Sequence, residues 1–142
     1  MTKVEWGETT CSVCGTTSKR LGLTSAFVVG HPDLDTRPGG TGRPLTGFSI
    51  EQCYSCGYTA RHIADDAPEG VRAILDSAAY RAVLEQEALS SAARQFLARS
   101  LIDEKVGDLA AAGWGALRAA WMCEDDGSDE GALGCRARAL AL

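Results

Sequence analysis

The chain has 142 residues, 45% hydrophobic and 23% charged, with a formal net charge of −5, a make-up that suits a globular protein with one core and a small metal-held module. No apolar run approaches the roughly 20 residues of a membrane helix, and the opening MTKVEWGETT lacks the apolar stretch of a signal peptide, so the expected location is the cytoplasm, without a membrane partner. An acidic chain with a pI near 5.0 is a poor phosphate neutraliser, which disfavours nucleic acid as the main partner.

Composition changes near residue 66. Residues 1–66 hold Cys11, Cys14, Cys53 and Cys56 and three of the four prolines, whereas residues 67–142 are rich in Ala, Leu, Arg and Glu. The reading is an α+β chain: a small β zinc ribbon over 1–66, then an all-α domain of about four helices over 67–142.

In chain order, CSVCG (11–15) comes first. TSAFVVG (24–30) and LTGFSIEQC (45–53) are β-branched and aromatic, lie beside glycine and read as strands of one sheet. Between them, HPDLDTRPGGTGRP (31–44) reads as a long irregular loop. CYSCG (53–57) then repeats the first motif. A helix is expected over 68–83, with Pro68 in its first turn and Val71, Ile74, Leu75, Ala78, Ala79 and Ala82 at helical spacing. A second carries Ala88, Ala92, Phe96 and Leu97 on one stripe, and a third carries Leu109, Ala112, Leu117, Ala120 and Trp121, with the turn at 105–108. Gly127 stops the third, and Ser128 caps a fourth that runs to the end.

The twin motifs carry the chemistry. Two thiolates separated by two residues on a tight turn reach one ion, and the following glycine lets the chain turn back over the sulfurs. Cys11, Cys14, Cys53 and Cys56 therefore read as one closed four-thiolate site for a single structural Zn2+ per chain. Iron is permitted by the same sulfurs. A redox pair, by contrast, needs one C-x-x-C opening a helix with an exposed low-pKa thiol. Cys123 and Cys135, isolated on helical stripes, read as small core residues.

His31, Asp33, Asp35 and Arg37 place a ring, two carboxylates and a guanidinium within seven residues. One reading is an acid–base or metal-assisted site, completed by His62 if the ribbon folds back. The plainer one is an ordered turn in which Asp33 and Asp35 accept loop amides and Arg37 pairs with one of them.

The order C-x-x-C-G, PDLDTRP, an aromatic-containing strand, CxxCGY and Ala-rich helices resembles a family of uncharacterised bacterial proteins classed as a domain of unknown function. The motifs match over 11 to about 61, and the rest matches in helical character. Ser12 and Tyr54 stand where that family usually carries proline, which leaves the ligands untouched. The resemblance implies a zinc ribbon with a helical-repeat tail and no assigned activity. Ala112, Ala119 and Phe96 also fall where tetratricopeptide repeats place packing residues, although a generic helical hairpin explains them as well.

The last helix ends RARALAL without a polar cap, so its apolar end calls for a cover: the first helix, a second copy or a partner. Trp114 and Trp121 read as core or as interface anchors. The leading functional expectation is a non-enzymatic interaction module that binds a partner protein or forms a homo-oligomer through the helical domain. The first alternative is a nucleic-acid-binding ribbon using Lys19, Arg20, Arg37, Arg43 and Arg61, and the second is an enzyme built on His31, Asp33, Asp35 and Arg37.

Overall fold

A computed structural model describes residues 1–142. The architecture is α+β, with two separate two-stranded antiparallel sheets in place of the single sheet expected. Strands β1 (Lys3–Thr10) and β2 (Thr17–Ser25) form a hairpin whose tip is the first CxxCG motif. Strands β3 (Glu51–Gln52) and β4 (Thr59–Ala60) form a short second hairpin around the other copy.

Both expected strands are corrected. Residues 26–29 of TSAFVVG are non-strand and exposed, and most of LTGFSIEQC lies in a 3-10 helix, Gly40–Ser49, so 40–44 is regular where a loop was expected. The reason for the irregular path is steric. A Cβ on Gly39 would sit 1.9 Å from the His31 carbonyl oxygen, and one on Gly40 would sit 1.9 Å from that of Val29. Only glycine allows this crossing of two backbones.

The helices are α1 (Val71–Leu75), α2 (Ala78–Leu84), α3 (Ser91–Lys105), α4 (Leu109–Asp125) and α5 (Asp129–Ala141). The expected helix over 68–83 is thus two short ones, and Pro68 lies outside both. Ser77 causes the break: its hydroxyl donates to the Ile74 carbonyl at 2.6 Å and accepts from the Tyr80 amide at 3.3 Å. A serine that caps locally competes with continued helix. Ser90, Asp108 and Ser128 cap α3, α4 and α5 in the same way.

Helix α3 divides the interior. Ala93, Phe96 and Leu97 pack with Ala119, Ala120 and Trp121 of α4 and with Ala132 and Cys135 of α5. Ala98 and Ile102 instead pack with Cys11, Val13, Cys53, Tyr58 and Ile63 of the two hairpin ends and with Val71, Leu75 and Tyr80 of α1 and α2. Cys123 and Cys135 are buried, as free core cysteines are expected to be. The residues on either side of position 66 therefore share one apolar cluster.

Candidate metal centre

The two motifs fold identically at the backbone level. The Gly15 amide donates to the Cys11 carbonyl and the Gly57 amide to that of Cys53, each at 2.8 Å. The Cys11 amide returns to Thr16 and the Cys53 amide to Tyr58, at 3.0 and 2.8 Å. Gly15 and Gly57 take φ of +74° and +80°, the left-handed turn that a side chain disfavours.

These turns bring four sulfurs together. All lie within 4.8 Å of one another, with Cys11 Sγ 3.8 Å from Cys56 Sγ and Cys14 Sγ 3.6 Å from Cys53 Sγ. A tetrahedral ion with bonds of about 2.3 Å requires edges of about 3.8 Å, so the set fits a metal with four protein ligands and no open position. The thiol chemistry agrees. Burial pushes Cys56 up to about 12 and raises Cys11, so these sulfurs stay neutral thiols unless a cation compensates. Cys14 is different: the Thr16 hydroxyl, 3.3 Å from its sulfur, and the Thr16 backbone hold it down to about 6.

The centre is wired into the helices. The Tyr80 hydroxyl donates to the Gly57 carbonyl at 2.7 Å and lies 3.0 Å from the Thr59 hydroxyl. Arg99 of α3 donates to the Thr59 carbonyl, and Arg72 of α1 to that of Val13. The Ser12 amide donates to the Ile63 carbonyl at 2.8 Å, which locks the first motif to the segment after the second.

The PDLDTRP residues do not converge on a site. Asp33 pairs with Arg43, His31 is exposed, and His62 lies 3.7 Å from Glu51. Asp35 and Arg37 turn the other way, onto α4 and α5. The Trp121 indole N–H donates to Asp35 Oδ2 at 2.7 Å, and Arg136 reaches the same oxygen at 3.2 Å. Burial opposes the charge of Asp35, yet these two donors outweigh it and hold the carboxyl below its ordinary range. Arg37, only 3% exposed, donates to the Trp121 carbonyl at 3.0 Å and pairs with Glu124 and Asp125. The in-loop partner expected for Arg37 is thus replaced by the end of α4. Between the two anchors, Thr36 takes φ +66°, an uncommon conformation for a β-branched residue. The segment is a strap across the helices.

The tryptophans part company. Trp121 is buried beneath this strap, while Trp114 is 45% exposed with the Arg118 guanidinium 6.0 Å from its ring. Among the cations of the nucleic-acid alternative, Arg37 is buried and paired, Arg43 is held by Asp33, and Arg20 donates to the Gln52 carbonyl. No helix is long and apolar enough to cross a membrane. Comparison with protein-family models, with curated proteins and with solved structures finds no match.

Proposed function

We propose that this chain is a non-enzymatic interaction protein whose fold is held by one structural zinc ion and whose helical half carries the docking surface. The observation that carries the reading is the four-sulfur cluster, all within 4.8 Å, in which the Cys14–Cys53 and Cys11–Cys56 edges of 3.6 and 3.8 Å have the length a tetrahedral four-thiolate site needs. A full set of protein ligands leaves no position for substrate, so the ion works through geometry and folding energy. On this reading the two hairpin ends form a zinc ribbon, and α3 to α5 form a TPR-like antiparallel stack. Zinc is preferred to iron because nothing around the sulfurs requires electron transfer.

The docking surface is assigned to the exposed seam of α4 and α5. Leu109, Trp114, Leu117 and Leu142 line an apolar groove there, and Leu140 beside it is 90% exposed. Its occupant is a partner protein or a second copy. The enzyme alternative has little support, since the acidic and basic groups of the PDLDTRP segment are engaged separately.

Native mass spectrometry of the purified chain, with and without chelator, tests both halves. The expected result is one zinc per chain and, for self-association, a dimer that Leu109→Asp with Leu140→Asp converts to monomer. A zinc-bound wild-type monomer assigns the seam to a partner protein. An iron mass overturns the zinc assignment, and no bound metal overturns the whole reading.

A further inference from the structure

A second site lies away from the sulfur cluster and adjoins the α4–α5 seam at Trp114, which lines both. A groove of about 590 Å3 runs between the segment after the second metal motif, residues 58–68, and helices α3 and α4. That volume falls among small-molecule sites, which span roughly 300–1,000 Å3. Its apolar surface includes Phe96 and the half-exposed indole of Trp114.

The charges lining the groove are balanced but not closed. Arg61, Arg99 and Arg118 line it together with Asp65, Asp66 and Asp103. Only Arg99 and Asp103 meet, at 2.7 Å, and that pair is largely buried in the wall. Elsewhere the chain's arginines find oxygen acceptors: Arg20, Arg37, Arg43, Arg72, Arg81, Arg136 and Arg138 all do. Arg61, Arg94 and Arg118 have none, and two of these three line the groove. Asp65 and Asp66 likewise form no ion pair. A groove with equal free charge of both signs does not concentrate a simple anion or cation. It complements a molecule that carries both.

We propose that this groove binds a small zwitterion with a flat aromatic body, of the α-amino-acid class. The ligand carboxylate lies against Arg118, the ammonium against Asp65 and Asp66, and the aromatic body against Trp114. Guanidinium and carboxylate form charge-assisted hydrogen bonds, and the indole offers the face that an aromatic ring stacks on. Trp114 lines both this groove and the docking surface, but Arg118, Asp65 and Asp66 line the groove and not the seam, so the charge-dependent part of the assignment stands whether or not the seam docks a partner.

The test is a 15N NMR titration of the full, metal-loaded chain with L-phenylalanine, 3-phenylpropionate, phenethylamine and glycine. The chain has three indole N–H signals, from Trp6, Trp114 and Trp121, and Trp114→Phe identifies the relevant one. L-Phenylalanine is expected to shift the Trp114 signal and leave that of Trp6 in place. The two singly charged analogues and glycine should bind about tenfold or more weakly, the scale of one lost charged contact or ring contact. Arg118→Gln and Asp65→Asn with Asp66→Asn should each weaken L-phenylalanine by a similar factor. No shift at Trp114 up to millimolar ligand overturns the proposal, as does equal binding of the zwitterion and either singly charged analogue. The analogue series uses the unaltered protein, so its outcome holds even if a variant misfolds.

Discussion

Replacing Arg37 by alanine isolates what the strap contributes. The substitution removes a guanidinium that is 3% exposed and donates to the Trp121 carbonyl while bridging Glu124 and Asp125. Glu124 keeps Arg136 at 2.7 Å, but Asp125 is left without a cation. Hydrogen bonds to charged groups contribute about 1.5–3 kcal/mol each, and removing one partner of a fully buried pair costs about 3–5 kcal/mol. The two carboxylates are about one-third exposed, so water screens part of this, and we expect a net loss of about 2–3 kcal/mol. At about 2–4 °C per kcal/mol for proteins near this size, the melting temperature should fall by roughly 5–10 °C. Thermal unfolding of the metal-loaded chain, followed by circular dichroism, measures it. Arg37→Lys keeps the charge without the planar fork and should recover less than half the loss. A fall below about 2 °C for Arg37→Ala, or full recovery by lysine, would refute a buried, geometry-dependent anchor.

Other expectations follow from the same structure. Cys53→Ser should abolish stoichiometric metal binding and lower thermal stability far more than Cys123→Ser, as measured by metal analysis and calorimetry of the two variants. Thr36→Gly should raise the melting temperature, because relief of about 1–3 kcal/mol of strain exceeds the roughly 0.5–1 kcal/mol entropic cost of glycine; a fall would show that Thr36 is unstrained. Asp35 has a depressed folded pKa, so its stabilisation is complete above the unfolded value near about 4 and fades as pH falls through the lower folded one. Asp35→Asn should therefore flatten the acid limb of a stability–pH curve below about pH 4, where Arg136, Arg37 and Glu124 are the neighbouring charges.

The sulfur cluster was legible because its signal is local: a repeated five-residue motif fixes both the turn and the ligand. The cap at Ser128 was legible for the same reason, and the turn at 105–108 was placed without its cap, Asp108. The strands were not. Val4, Trp6 and Leu21 lie on a hairpin that faces solvent, so KVEWGETT shows no clean apolar stripe toward a core, while Phe27, Val28 and Val29 look like strand and remain exposed coil. Arg37 misled because the motif suggested partners within seven residues, and its true partners stand 87 and 88 positions away, at Glu124 and Asp125. The groove left no sequence signal, since Arg61, Asp65 and Arg118 come to line one space only once α3 has packed against both the second metal motif and α4.

Those separations also order events during synthesis. The strap carries Asp35 near the start of the chain, and its guanidinium partner Arg136 is made 101 residues later. At about 5–20 residues per second, roughly 5–20 s pass between them. The sulfur ligands are complete once Cys56 has been made, well before α4 and α5 exist. On the metal reading proposed above, a growing chain captures its ion first, holding the strap as a tethered arc whose place is defined only when α5 arrives.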